Sequence, residues 1–260
     1  MGRGVRLLDV TVLNVHGQPL GDPLEAWSGC SAPVPVRLQG RYVVLEPLTG
    51  DHADDLFATL AGPTDTALWT YRNDEPPPDV AQLRQRLAAA PAGWVSLAIR
   101  PLDDATQPGA ASGMASWLRA DPANGAVEIG SILFGRTLQR TRAATEAMYL
   151  MARHIFDDLG YRRYEWKCDS RNEPSRLAAL RLGFRYEGRF RQHLVYKGRN
   201  RDTDWFALTD ADWPPLRAAY ERWLDPANFI GGVQQVALST LTTPTPDTCP
   251  IPTPCPDPTP

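Results

Sequence analysis

Residues 126–145 read AVEIGSILFGRTLQRTRAAT, and they decide what kind of chain this is. The apolar run from Ala126 to Phe134 predicts a strand. Gly135 to Arg140 is a short polar loop, and a long helix starts at about Thr141. The first amides of a helix have no intrahelical acceptor, and the helix dipole adds partial positive charge there. With Arg136, Arg140 and Arg142 alongside, this junction predicts an anion site. The small Ala143 and Ala144 leave room for a bulky anion such as a pyrophosphate. The plainer alternative is a loop whose arginines are simply solvated.

Working outward, Ala144, Met148, Met151, Ile155 and Leu159 recur every three or four residues, and Gly160 is placed to end that helix. Residues 161–168 form a strand rich in aromatics. Asn172 is a good N-cap, Pro174 suits a first turn, and Gly183-Phe184 after Leu182 matches a Schellman end. Strands over 186–196 and 202–208 flank a turn at 197–200, and a last helix is expected over 213–228. Upstream, 42–45 reads as a strand and 48–60 as a helix. Val80, Leu83, Leu87 and Ala90 mark a second helix after three prolines, Pro76 to Pro78. Strands follow over 94–99 and 113–118, and Asn124-Gly125 is a hairpin dipeptide before Ala126. The order β-α-α-β-β-β-α-β-α-β-β predicts an α+β domain, a mixed sheet with helices on both faces.

The composition is that of a globular protein, with 43% hydrophobic and 22% charged residues. A net charge of −3 gives no global attraction to nucleic acid or anionic membrane. No apolar run approaches the roughly 20 residues of a membrane helix. Asp9 interrupts the apolar part of MGRGVRLLDV, and Arg6 stands where a myristoylation signal needs Ser or Thr, so a cytoplasmic protein is expected. Cys30, Cys168, Cys249 and Cys255 are too few and too scattered for a disulfide framework. No Walker-type loop, nucleophile elbow, H-E-x-x-H or C-x-x-C occurs, and His16, His52, His154 and His193 lack ligand spacing, so no metal is expected. Of the 25 prolines, many crowd into residues 242–260, TTPTPDTCPIPTPCPDPTP, a composition that cannot bury a core. The expected organisation is an N-terminal extension over 1–35, a domain with a C-terminal helix over 36–228, and a linker and disordered Pro/Thr-rich tail over 229–260.

The chain resembles the GNAT acetyltransferases, in particular their ribosomal-protein-type N-acetyltransferase branch, from about Leu38 to Trp213 and most strongly over residues 138–192. That family binds acetyl-CoA through a Q/R-x-x-G-x-G/A loop opening its long helix. Gln139 and Ala144 match the ends of this pattern, while Arg142 stands at its middle glycine. Asn172 and Ser175, then Leu182-Gly183-Phe184, match the family's next helix, and Glu187-Gly188 and residues 198–203 look like this branch. The resemblance implies a GNAT-like mixed, splayed sheet that parts near Ile129–Phe134. The backbone of Ile132, Leu133 and Phe134 would then meet the pantetheine arm. It implies that Gln139, Arg140, Thr141, Arg142, Ala143, Ala144 and Thr145 hold the pyrophosphate, and that Asn172 bonds the pantetheine. Ser175 is implied as proton donor to the leaving thiolate, because the tyrosine common four residues later is here Ala179. The implied reaction is direct attack of a primary amine on acetyl-CoA in a ternary complex.

A base must take the amine's proton. Glu128 is the first candidate and Glu187 the second; strict alternation along 126–134 would put Glu128, Gly130, Ile132 and Phe134 on one face. An α-amine of pKa about 8 is roughly 10% neutral at pH 7, against below about 0.1% for a lysine near 10.4. The expected acceptor is therefore a protein N-terminal α-amine or a small amine. Two other readings stay open. One is a catalytically silent acyl-CoA-binding fold, suggested by Arg142 and Ala179. The other is an RNA- or ribosome-associated module using Arg185, Arg189, Arg191, Lys197, Arg199 and Arg201, for which one solvated basic face is the simpler account. No membrane partner is expected, nucleic acid is disfavoured, and a homodimer is left open.

Overall fold

The computed structural model describes residues 12–242 except 25, 90, 104 and 105. The expected Pro/Thr tail from residue 243, with Cys249 and Cys255, and the helix position Ala90 lie outside the described residues. The chain opens with strands β1 (Leu38–Gln39) and β2 (Val43–Pro47), then helices α1 (Ala53–Leu60) and α2 (Val80–Ala88). Strands β3 (Val95–Asp103), β4 (Gln107–Pro108), β5 (Gly113–Asp121) and β6 (Ala126–Phe134) follow. Next come α3 (Arg142–Arg153), β7 (Arg163–Asp169), α4 (Glu173–Arg181), β8 (Arg185–Tyr196) and β9 (Arg199–Thr209). The chain closes with α5 (Trp213–Leu224), β10 (Phe229–Ile230), β11 (Val233–Gln234) and α6 (Leu238–Thr242).

The helix boundaries are set by side-chain caps. The Asp79 Oδ1 accepts the Gln82 N–H at 2.7 Å to start α2, and the Asn172 Oδ1 accepts the Ser175 N–H at 3.2 Å to start α4. At the other end of α4 Gly183 takes φ +91, the Phe184 N–H donates to the Ala179 carbonyl and the Gly183 N–H to that of Leu180. That pair of bonds is the expected Schellman end. Pro226 stops α5 short of the expected Asn228. The turn between β8 and β9 is also tighter than expected. Tyr196 pairs with Arg199 across a two-residue loop, and Lys197 and Gly198 both take positive φ. That is the mirror-image turn matching the strand twist.

The strands form one mixed sheet in the order β1-β2-β3-β5-β6-β7-β9-β8, with β4 pairing β3. One face is covered by α3, α4 and α5 around Trp117, Ile129, Leu150, Phe184 and Tyr220. The other is covered by α1 and α2, whose Leu56, Leu60, Leu83 and Leu87 pack on Ala98, Met114 and Leu133. This is the expected α+β architecture, helices on both faces of a mixed sheet.

Strand β6 departs from simple alternation. Met114 pairs with Leu133 and Ser116 with Gly130, so two residues of β6 face one of β5. Ser131 sits at this bulge with φ +50. The expected common face for Glu128, Gly130, Ile132 and Phe134 is corrected accordingly: Val127 and Ile129 face the α3 core, and beyond the bulge Ile132 and Phe134 do too. Leu133 turns to the α1/α2 core instead.

Residues 229–242, expected as linker, are built onto the domain. Gly231 and Gly232, both at positive φ, fold β10 back on β11. The Asn228 amide bonds the carbonyls of Trp223 and Val236, the Trp223 indole N–H donates to the Gln234 Oε1, and the Thr242 hydroxyl donates to the Arg181 carbonyl. At the other terminus the extension is fastened to the β5–β6 turn. The Trp27 indole N–H donates to the Ala123 carbonyl at 2.8 Å, and Arg162 lies over its ring.

Candidate active site

Strands β6 and β7 run parallel and pair only from Ala126–Arg163 to Ile129–Trp166; beyond that they part. The wedge opens at the carboxyl ends of both strands, where the chain enters α3 and α4. Ligands of open α/β sheets bind at such an end. Among the described residues the backbone of Ile132, Leu133 and Phe134 has no strand partner on the β7 side, which leaves an open edge there.

The loop from β6 to α3 is tightly wound. The amides of Leu138 and Gln139 both donate to the Gly135 carbonyl, and the Gln139 side-chain amide closes back on the Phe134 carbonyl at 2.9 Å. Arg140 takes φ +62. The Thr141 Oγ1 caps the helix by accepting the Ala144 N–H at 3.1 Å. Among the described residues no acceptor is found for the amides of Arg140, Arg142 and Ala143. These three donors beside a left-handed residue form a nest for an anion.

The loop arginines divide. Arg136 is turned away, its Nε bonded to Asp65 Oδ1 at 2.9 Å and its Nη2 to the Thr64 carbonyl. The Arg142 guanidinium lies 4.6 Å from the ring centres of both Tyr42 and Phe229, a sandwich that pins the loop to the C-terminal hairpin. Its side chain is committed and leaves only its amide open, while Arg140 stays exposed. Thr145 is withdrawn: its hydroxyl and amide both bond the Thr141 carbonyl, and Arg181 donates to that hydroxyl.

Across the wedge, Asn172 and Ser175 stand at the start of α4. The Ser175 Oγ accepts the Trp166 indole N–H at 3.0 Å. It also bonds the buried Cys168 thiol, which burial pushes up to about 11 despite that bond. Ala179 is fully buried core.

The sheet face toward α1 and α2 carries the charged groups. Glu128 is 3% exposed, ion-paired to Arg119 and 3.8 Å from the Lys167 Nζ. Lys167 lies 5.0 Å from the Trp205 ring centre, and its ammonium is pushed down to about 8 by burial and by the charges of Arg119 and Arg201, against the opposing pull of Glu165. Glu187 gives both carboxylate oxygens to Arg163, at 2.8 and 2.6 Å. The segment between α1 and α2 roofs this face: the Lys197 Nζ donates to the Trp69 carbonyl at 2.9 Å and the Tyr71 hydroxyl to that of Arg171 at 2.9 Å. The Arg72 Nη1 reaches the Ser131 hydroxyl at the bulge at 3.4 Å.

The basic residues of β8 and β9 do not make one solvated face. Arg185 pairs with Asp212, Arg189 with the fully buried Asp204, and Lys197 with Glu75, while Arg201 is buried and only Arg191 and Arg199 stand clear. Sequence reasoning missed Lys167, Arg201, Trp205 and Tyr71 as groups around the wedge. A readable signal was the polar residue at every second position of 163–169, on a strand flanked by others. Among the described residues no helix is long and apolar enough to cross a membrane.

A family model described as an acetyltransferase (GNAT) domain matches residues 43–185. A GCN5-related N-acetyltransferase from Brucella melitensis is 43% identical, with a TM-score of 0.79, over 84% of this chain and 99% of that one. A GNAT-family protein from Chromobacterium violaceum is 36% identical, with a TM-score of 0.69, over 75% of this chain and 97% of that one. The microcin C7 self-immunity acetyltransferase MccE, solved with acetyl-CoA and AMP, shares the fold at 18% identity and a TM-score of 0.57, over 65% of this chain and 93% of that one. A comparison with curated proteins gives no match. The parted strands, the amide nest and these likenesses agree, and the chain belongs to the GNAT acetyltransferases.

Proposed function

We propose that this protein moves an acetyl group from acetyl-CoA to a primary amine, a protein N-terminal α-amine or a small amine, by direct attack in a ternary complex. The observation that carries the reading is the parting of β6 and β7 beside three open amides at the start of α3. That arrangement fits acetyl-CoA. The amides of Arg140, Arg142 and Ala143 hold its pyrophosphate, the free edge of Ile132–Phe134 pairs its pantetheine amides, and the Asn172 side-chain amide adds a donor. The ribosomal-protein-type branch is supported by the register of motifs over residues 138–192.

The acceptor enters from the α1/α2 face, under the Trp69–Tyr71 roof. Glu128, at the point where the strands part, takes the amine's proton; Glu187, with both oxygens held by Arg163, is the weaker candidate. The Ser175 oxygen accepts from Trp166, and its hydroxyl proton, shared with the Cys168 sulfur, is the one given to the departing sulfur.

A thermal shift tests the reading. Acetyl-CoA at about 100 times its Kd adds about 2.7 kcal/mol, a rise of roughly 5–10 °C for a domain of this size. No rise at millimolar ligand sinks it. With that rise retained, Glu128→Gln lowers kcat/KM about 10²–10⁴-fold if Glu128 is the base; a change under threefold removes it from that role.

A further inference from the structure

Arg201 is 9% exposed, yet among the described residues its guanidinium makes no hydrogen bond and no ion pair, and its Nε is fully buried without a partner. Among the described residues the Tyr196 ring lies beside it, its centre 5.7 Å from the guanidinium. A buried cation left unpaired is unfavourable, and proteins compensate it with a carboxylate or a ligand. The nearby carboxylates are committed elsewhere. Asp169 accepts the Arg171 N–H and the Tyr196 hydroxyl, each at 2.8 Å. Glu165 accepts from Arg163, and Glu128 is held by Arg119 and Lys167. Asp204 pairs with Arg176 and Arg189.

The surroundings are positive as well. His193, whose ring bonds the Thr203 hydroxyl, is held below its ordinary pKa by burial and by the charges of Lys167, Arg201 and Arg119. The site also has a direction. Lys167 pairs with Trp205 one residue past the last β6–β7 pair, at the mouth of the wedge. Arg201 lies four residues further along β9, about 13 Å of strand at 3.3 Å per residue. The Tyr71 hydroxyl donates to the Arg171 carbonyl and the Tyr196 hydroxyl to Asp169 Oδ2.

We propose that the acceptor carries an oxyanion as well as its amine, and that Arg201 receives that oxyanion while the amine points to the wedge. The assignment of the amine end rests on the acetyltransferase reading; the oxyanion site does not. A fork of guanidinium donors suits the two oxygens of a carboxylate or phosphate.

The test measures binding by calorimetry with coenzyme A saturating, so that the α3 amides are already covered. The probes are trialanine against trialanine amide, and O-phosphoethanolamine against ethanolamine. The expected result is at least 10-fold tighter binding of one acid over its neutral counterpart; which acid wins distinguishes carboxylate from phosphate. Arg201→Met abolishes the preference, and Arg201→Lys, which keeps charge and bulk, retains part of it. The thermal shift given by coenzyme A, unchanged in both variants, shows that they fold. Where acetyl transfer to trialanine is followed as thiol release, the loss in Arg201→Met falls on KM. Equal binding of acid and neutral probes, or a preference that survives Arg201→Met, overturns the proposal. If coenzyme A itself gives the wild type no shift, the acetyltransferase reading fails, and the same comparison without it still decides the oxyanion site.

Discussion

Lys167→Met should flatten the dependence of stability on pH above neutrality. The ammonium titrates at about 8 in the folded protein, against an ordinary value of 10.5. A gap of about 2.5 pH units corresponds to about 3.4 kcal/mol at 1.36 kcal/mol per unit. The Lys167 side chain is 14% exposed at the mouth of the groove, and solvent screening at that opening reduces the expected effect to about 1–2 kcal/mol. The sign follows from proton counting. Below pH 8 both states hold the proton, and the full cost of the buried charge is present. Between about pH 8 and 10.5 the folded protein has released it while the unfolded chain keeps it, so wild-type stability rises with pH. Urea unfolding followed by tryptophan fluorescence at constant ionic strength, from pH 7 to 10, gives the curves. The wild type should gain about 1–2 kcal/mol over Lys167→Met across that range. Parallel curves, or a gain in the opposite direction, refute the argument that the groove is a positive, poorly hydrated place.

Two further outcomes follow from the packing around the amide nest. Arg142→Ala removes the guanidinium held between Tyr42 and Phe229 and should cost about 1–3 kcal/mol. Acetyl-CoA affinity by calorimetry should then change less than about threefold, because the proposed pyrophosphate site uses only the backbone of residue 142; a 10-fold loss of affinity without loss of stability shows the side chain at work on the phosphates instead. Gly135→Ala places a methyl group 2.9 Å from the Ser112 carbonyl oxygen and 3.0 Å from that of Thr59. Both are backbone atoms that cannot swing aside, so the variant should lose about 1–3 kcal/mol, and a melting temperature within 1 °C of wild type contradicts this.

The elements were legible because their ends are written in short-range chemistry. The helix α3 starts at Thr141 and Asn172 caps α4 as expected, Gly183-Phe184 closes α4 as expected, and the apolar spacing of α3 reads directly from residues 144–159. The bulge was not legible, because Ser131 is an ordinary residue held at positive φ by its neighbours rather than by its own preference. The fate of Arg142 depends on Tyr42 and Phe229, 100 residues before it and 87 after it in sequence and joined only by folding. The hairpin over 229–234 did leave a signal, the Gly231-Gly232 dipeptide, that the proline-rich tail behind it obscured. Arg201 read as one member of a basic run, since burial and isolation from carboxylates are properties of the sheet and not of the run.

The bulge gives β6 something like a reading frame. Upstream of Ser131 the odd-numbered Val127 and Ile129 belong to the α3 core; downstream the even-numbered Ile132 and Phe134 do. One residue shifts the phase, and everything after it is decoded on the opposite side. Deleting that residue would leave the composition of the strand nearly intact yet exchange the partners of all three residues that follow, sending Leu133 out of the α1/α2 core. A single insertion thus moves the α3-facing set from odd to even positions, and the switch falls close to where β6 lets go of β7.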